Sequence, residues 1–448
     1  MGLTGIQIYK LLPKTNCGEC GVPTCLAFAM ALAAGKAELA SCPYVSDEAK
    51  ELLSEASAPP IRPVVIGSGE RTIKIGGETV LFRHEKTFFN PAGIAVRVAD
   101  DMPDSEVDGR LKRFQELQYE RVGLTLRPDL VAVQASDGDA GRFVALIEKV
   151  KAAVAGPLVL MSRDPKVMEA GLKAAADRKP LIYAATTDNA EAMGELAKAN
   201  GCPLAVKGRD LDEVASLTTK LTEAGLKDLV IDSGSRDFRR ALEDQIFIRR
   251  AALLKKFRPL GFPTIVFPCE MTDDFRKETV LAATFIAKYG GIVVLSDLQG
   301  HSLFPLVLAR MNIYTDPQRP MATSPGIYEI NSPSDSSPMC VTSNFSLTYF
   351  IVSGEIESSR VPTWLVVMDT EGLSVMTAWA AGKFVGDAIG IFMKKSSAVQ
   401  KVGHKKVIIP GYAAAISGDL EEELVDWEVL VGPREASHLP AYLKEWKA

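Results

Sequence analysis

Two hydrophobic periods alternate through the middle of the chain. Short apolar runs at 94–98, 130–133, 158–161, 181–184, 204–206, 229–231, 264–267 and 292–295 carry the aliphatic and β-branched residues of buried strands. Between them, at 141–155, 165–176, 190–199 and 211–224 for example, apolar positions recur three and four residues apart, which predicts amphipathic helices. Eight strand-and-helix units within about 230 residues is the arithmetic of a (β/α)8 TIM barrel, with an open doubly wound sheet as the alternative. Ahead of these units, 64–66, 73–75 and 80–82 read as short alternating strands with glycine turns, a hairpin cap on the barrel.

Beyond the barrel the pattern changes. Residues 314–338 hold Pro317, Pro320, Pro325, Pro333 and Pro338 among several serines, the composition of an interdomain linker. A smaller α/β region should follow, with strands at 339–342, 364–368, 406–409 and 427–431 and a helix at 375–384. Turns rich in Gly, Thr, Ser or Pro close three of those strands, at 369–374, 410–412 and 432–434. Sheets of this kind bind ligands beyond the C-terminal strand ends, where helix N-termini and backbone N–H groups meet, so a phosphate-bearing ligand fits. Such turns also serve simply to reverse the chain. No Gly-x-Gly-x-x-Gly fingerprint or Walker loop is present.

Four of the seven cysteines fall within residues 17–42, and the other three, Cys202, Cys269 and Cys340, are scattered beside apolar runs where a small buried thiol is expected. The spacing is Cys17-x2-Cys20-x4-Cys25-x16-Cys42, with Pro43 after the last. Gly18, Gly21 and Pro23 make the first part a loop that can wrap closely around an inorganic centre. A helix over 26–34 follows, with Gly35 as its C-terminal cap. An unbroken helix across the gap would carry Cys42 about 24 Å away, so the chain must fold back to bring it to the other three. Zinc takes two short Cys-x2-4-Cys arms, which this spacing fits poorly, while four thiolates ending in Cys-Pro look like an iron–sulfur site of the 4Fe–4S type.

Composition narrows the class. The 448 residues are 47% hydrophobic and 24% charged, the balance of a globular chain with room for about three domains. A formal charge of −5 gives no basic field for nucleic acid or an anionic membrane. The N-terminus lacks the features of a signal peptide, so a cytoplasmic protein with reduced thiols is expected. Around the barrel rim, Asp100, Ser136, Arg163, Thr186, Lys207, Asp232, Glu270 and Asp297 would meet any barrel substrate, but no pair has the spacing of a known acid/base motif. The barrel is therefore expected to act as a scaffold or docking surface. His301 reads as a structural histidine.

Taken together, the four-cysteine module (1–57), the TIM barrel with its N-terminal hairpin (58–325) and the small Rossmann-like α/β domain (326–448) resemble the large (gamma) subunit of the corrinoid iron–sulfur protein of the acetyl-CoA pathway. The most specific elements are Cys17-Gly-Glu-Cys20-Gly-Val-Pro-Thr-Cys25 with Cys42-Pro43, and Asp369-Thr-Glu-Gly-Leu-Ser-Val375. The resemblance implies a methyl carrier rather than a complete enzyme. It would take methyl from methyltetrahydrofolate through a separate methyltransferase and deliver it to acetyl-CoA synthase/CO dehydrogenase. It implies a 4Fe–4S cluster on Cys17, Cys20, Cys25 and Cys42 that returns Co(II) to Co(I), fed by a ferredoxin or another reductive activator. It also implies a base-off corrinoid whose nucleotide tail enters the last domain, with Thr370, Glu371, Gly372, Leu373 and Ser374 along its lower face. Ser346, Gly411, Gly432 and Pro433 are added by strand-end position. A smaller barrel subunit would complete a heterodimer. Many corrinoid proteins give cobalt a histidine from Asp-x-His-x-x-Gly, and that motif is missing here, since His404 and His438 lack its context. Two other readings stand beside this one: a pterin-binding methyltransferase barrel that is itself an enzyme, and an electron-transfer subunit without corrinoid.

Overall fold

The structure is a computed structural model and describes residues 4–33, 37, 39–46, 49, 53, 59–69, 71–121, 124–316 and 320–448. The expected helix cap at Gly35 and the first half of the 54–63 linker lie outside the described residues. The chain forms two compact units. One comprises residues 1–119 and 126–314, and the other 120–125 and 315–448.

In the first unit, Thr4 starts the helix Gly5–Leu11 through a capping box with Gln7, and the helix Cys25–Ala33 packs beside it. The hairpin β1 (Val64–Ser68) and β2 (Arg71–Ile75) precedes the first barrel strand, β3 (Gly93–Ala99). A second small hairpin, β4 (Tyr119–Arg121) and β5 (Leu124–Leu126), interrupts the series, and its residues 120–125 belong to the other unit. The remaining barrel strands are β6 (Leu130–Gln134), β7 (Leu158–Met161), β8 (Leu181–Ala185), β9 (Leu204–Lys207), β10 (Leu229–Asp232), β11 (Ile265–Val266) and β12 (Ile292–Leu295).

These eight strands are parallel and adjacent in chain order, and β12 returns to pair with β3. The remaining seam is closed between β10 and β11, where Ile231 and Thr264 bridge and the Ile231 N–H donates to the Pro263 carbonyl at 2.8 Å. The sheet is thus a barrel, not an open doubly wound sheet. Strands buried on both faces explain the uninterrupted apolar runs. Ala95, Leu130, Ala132, Val159, Leu181, Ala205, Val230, Ile292 and Val294 fill the interior, and Val64, Ile66 and Ile75 of the hairpin join the same cluster. The hairpin seals the N-terminal end, because Ile73 touches Gly93 at the start of β3 so closely that a Cβ there would lie 2.7 Å from its Cδ1.

The expected strand at 80–82 is absent. The Leu81 and Phe82 N–H groups both donate to the Glu85 carboxylate at 3.0 Å, which bends this segment into a turn. Beside it, Glu78 and Arg249 form an ion pair at 3.2 Å with both side chains buried, and Arg249 lies between the rings of Phe88 and Tyr289. Breaking one partner of a buried pair leaves the other charge uncompensated. Glu78→Ala should therefore lower unfolding stability by about 3–5 kcal/mol, read from the midpoint of urea denaturation. Unchanged stability would show that the pair adds nothing to the barrel.

The second unit is a five-stranded sheet in the order β13, β15, β14, β16, β17. The strands are β13 (Gly326–Ile330), β14 (Met339–Ser343), β15 (Thr363–Met368), β16 (Lys406–Ile409) and β17 (Glu428–Val431). All pairs are parallel except β13 with β15, an antiparallel edge that sequence patterning had not suggested. The helix Ser346–Ser359 was not anticipated either. It shares a core with Leu443 of the last helix on one face, through Ile356, Leu365 and Ile408. The helices Val375–Ala380, Gly386–Lys395 and Ser417–Glu423 cover the other face through Ala378, Ile389, Met393 and Leu420. From β14 the chain passes to β15 on one side, then crosses to β16 on the other. The crevice between β14 and β16 is therefore the topological switch point, where open α/β sheets hold ligands.

Among the described residues, no helix is long and apolar enough to cross a membrane.

Candidate functional site

The cysteine segment is built from turns and a helix start. Gly18 and Gly21 have φ of +76° and +80° with open space where a Cβ would go, so conformation rather than crowding asks for glycine there. Asn16 ties the loop to the helix: its Oδ1 accepts the Cys25 N–H at 2.8 Å, and its own N–H donates to the Cys25 sulfur at 3.4 Å. Cys25 and Cys42 are buried in one cluster with Ile8, Phe28 and Val45, and Cys20 packs against it. Cys17 is exposed. Across the loop, the Tyr44 hydroxyl donates to Glu19 at 2.8 Å. That carboxylate raises the phenol's pKa, with smaller contributions from Cys17 and Cys42.

Cys20, Cys25 and Cys42 thus sit in or against one small apolar core, surroundings that fit a thiolate-held centre, with Cys17 exposed beside them in sequence. An N–H already points at one sulfur, and two thiols are shielded from water. Among the described residues, no three His, Cys, Asp or Glu side chains stand close enough together to hold a metal ion. By contrast, Cys202, Cys269 and Cys340 are buried, and burial pushes their thiols up to about 11, 12 and 12. Such thiols stay protonated and inert.

At the switch point of the second unit lies a cavity of about 320 Å³. Val341, Ile351, Val375, Ile408 and Leu439 give it apolar walls, and Thr342, Ser374, Tyr412 and Arg434 supply polar groups. Three of the candidates read from sequence, Ser374, Gly432 and Pro433, line it directly. Gly411 stands between the lining residues Pro410 and Tyr412, where a Cβ would lie 2.6 Å from the Gly432 carbonyl. Here two strand-end loops cross backbone to backbone. Ser346 is buried at the first position of its helix, and its hydroxyl is unpartnered.

The other four candidates, Thr370, Glu371, Gly372 and Leu373, form the loop after β15 and are not among the lining residues. Asn344, which sequence reading missed, holds that loop. Its side-chain oxygen accepts from Thr370 N at 3.0 Å, Thr370 Oγ1 at 2.8 Å and Gly372 N at 3.0 Å, and its Nδ2 donates to Asp369 at 3.1 Å. The Thr370 hydroxyl lies 2.8 Å from both Asn344 Oδ1 and the Leu373 carbonyl, so its one proton is shared within the loop. Gly372 has φ of +76° and packs on the Pro320 carbonyl, while Glu371 pairs with Lys383. Two more missed groups, Thr342 and Ser343, are buried at the end of β14 with unpartnered hydroxyls. The strand-end rule that found Gly432 would also have found this Thr-Ser-Asn run.

Much of the barrel rim is paired internally, while Arg97 Nε and Asp100 Oδ2 are buried without a partner among the described residues. The Tyr183 hydroxyl donates to buried Asp232 at 2.6 Å, Arg236 pairs with both Asp232 and Glu270, and Arg97 lies 3.6 Å from Glu270. Asp297 pairs with Arg113, Asp100 accepts the Ser136 N–H, and the Thr186 hydroxyl donates to Asn189. Lys207 faces Asp232 across the β9–β10 register, Arg163 is exposed, and His301 meets the edge of Phe275.

Comparison with known proteins covers the whole chain. A family described as a putative Fe–S cluster matches residues 12–44, and one described as the CO dehydrogenase/acetyl-CoA synthase delta subunit matches 63–443. The corrinoid/iron-sulfur protein large subunit of Moorella thermoacetica is 47% identical over 99% of each chain. The acetyl-CoA decarbonylase/synthase complex gamma subunit of Methanopyrus kandleri is 38% identical over 99% of this chain and 98% of its own. Among solved structures, dihydropteroate synthase of Thermus thermophilus is 16% identical, covering 56% of this chain and 100% of that one with a TM-score of 0.40. The delta and gamma descriptions are reconciled by coverage, since the gamma and large subunits align with the four-cysteine segment as well as with everything after it. The chain belongs to the family of corrinoid/iron-sulfur protein large subunits and acetyl-CoA decarbonylase/synthase gamma subunits.

Proposed function

We propose that this chain is a methyl carrier, with a corrinoid in the β14–β16 cavity and a 4Fe–4S cluster on Cys17, Cys20, Cys25 and Cys42. When bound, the corrinoid's cobalt takes up and releases the methyl group, and the cluster supplies the electron that restores oxidised cobalt. The observation that carries the reading is the switch-point cavity with buried, unpartnered hydroxyls at its edge, in a chain whose N-terminal segment also places Cys20, Cys25 and Cys42 in or against one small core. The apolar walls suit an aromatic base, and the loop Asp369 to Ser374 would meet the ring face nearest the protein.

No histidine lines the cavity. His404 uses both ring nitrogens elsewhere, donating from Nε2 to the Ser337 carbonyl at 2.8 Å while Nδ1 accepts the Lys406 N–H at 3.0 Å. His438 is exposed. This supports a corrinoid whose cobalt takes no protein imidazole, an arrangement in which cobalt is easier to reduce. The partners that follow are a smaller barrel subunit, a methyltetrahydrofolate methyltransferase, acetyl-CoA synthase and a low-potential electron donor. Metal analysis with a visible spectrum tests the proposal: about four Fe and one Co per chain are expected. Iron without cobalt would leave only an electron-transfer subunit.

A further inference from the structure

The interior of the barrel ends in a polar ring. Ala95, Ala132, Ala205 and Val230 belong to the interior core, and two residues further along the same strands the same face carries Arg97, Gln134, Lys207 and Asp232. Bulky branched residues usually fill a barrel interior. Three of the four positions beneath this ring are alanines, whose small side chains keep the floor of the mouth low.

The acids of the mouth are already committed. Asp232 takes the Tyr183 hydroxyl and Arg236, and Glu270 takes Arg236 and stands 3.6 Å from Arg97 Nη1. Glu278, which acts on Arg97 electrostatically, accepts the Ser296 N–H at 2.6 Å and the Ser296 hydroxyl at 2.5 Å. Asp100 keeps one open oxygen, but it lies one residue past the end of β3 and turns its other oxygen to the Ser136 N–H.

The cations are not committed in the same way. Lys207 is half-buried and makes no hydrogen bond or ion pair among the described residues, and the exposed Arg163 side chain beside it makes none either. Arg97 reaches Glu270 only through Nη1, while its Nε is buried without a partner. β3 and β9 are four strands apart in the ring of eight, so Arg97 and Lys207 face each other across the mouth, and both feel the Glu270 carboxylate. Burial lowers the Lys207 pKa, Arg236 and Arg163 add to that, and Asp232 and Glu270 oppose it. One more anion beside the ammonium would restore its charge.

We infer that the barrel mouth binds a small organic carboxylate, held between the Lys207 ammonium and the Nε edge of Arg97, with Gln134 and Arg163 at its sides. The planar fork of an arginine matches the two oxygens of a carboxylate, and the C-terminal face is where barrels place their ligands. Asp232, Glu270 and Glu278 oppose a doubly charged phosphate more strongly than a singly charged carboxylate, which sets the class. The barrel then has a binding role of its own, separate from the corrinoid reading.

The test titrates the full-length protein with sodium acetate and with inorganic phosphate at constant ionic strength, followed by calorimetry. Acetate should bind with a Kd of about 1 mM, and phosphate about tenfold more weakly. Lys207→Met should weaken acetate about tenfold or more, the loss of one charged hydrogen bond, and Lys207→Arg should restore most of it. A second measurement needs no variant: about 10 mM acetate should slow acylation of Lys207 by a succinimidyl ester about tenfold, by mass action, while Lys173, whose side chain is 75% exposed, reacts as before. Acetate binding that survives Lys207→Met, or acylation of Lys207 that acetate does not slow, overturns the site. Phosphate binding as tightly as acetate overturns the carboxylate class. None of these outcomes moves the corrinoid reading, which stands or falls on cobalt content and the visible spectrum.

Discussion

Cys20→Ala should abolish reductive reactivation of the protein while methyl transfer started from chemically pre-reduced protein continues. Cys20 is half-buried, packed against the core that holds the buried pair Cys25 and Cys42, while Cys17 is exposed. If the four cysteines hold the proposed cluster, losing one removes a thiolate charge that favours a low potential and opens that side of the site to water. Stopped-flow reduction by a low-potential donor should show the rate falling at least a hundredfold, with iron content falling in parallel. If the two activities fell together, the cysteines would be holding the fold rather than passing electrons.

The second large effect is expected at Asn344. Its amide oxygen accepts three hydrogen bonds from the loop after β15, and the residue is 3% exposed. Asn344→Ala orphans these donors at about 1–3 kcal/mol each, partly recovered as the loop relaxes. Stability should fall by about 3 kcal/mol, and cobalamin affinity by about a hundredfold as the loop loses its shape. Asn344→Asp keeps the acceptor but sets a carboxylate against Asp369, so its loss should be largest at neutral pH and shrink in acid, as protonation relieves the repulsion. Wild-type affinity in the alanine variant would show that the loop is shaped by its own sequence.

The barrel was legible because each strand is buried on both faces and so reads as an unbroken apolar run. The four-cysteine segment, matched by the Fe–S family at residues 12–44, was legible because its spacing is local. What escaped did so for identifiable reasons. β13 is a half-buried edge strand in a stretch dominated by Pro and Ser, so neither period appears. The helix Ser346–Ser359 opens with Ser-Leu-Thr-Tyr-Phe-Ile-Val, whose β-branched and aromatic residues resemble a strand. The segment at 80–82 looked like a strand until a glutamate three residues on captured its N–H groups. Asn344 could not be read at all, since its partners lie about 26 residues away and only the finished sheet brings them together.

The four thiols are not equivalent. Cys17 stands open while Cys25 and Cys42 are sealed, and the Tyr44–Glu19 contact spans the rim between them. A metal group held there has one wet corner, and whatever reaches it must come by that corner: a donor's electrons, but also oxygen and chelators. Durability in air and speed of reduction are then set by the same opening. An air-tolerant form of the protein would be sought around Cys17, Glu19 and Tyr44, at a cost in how fast it can be recharged.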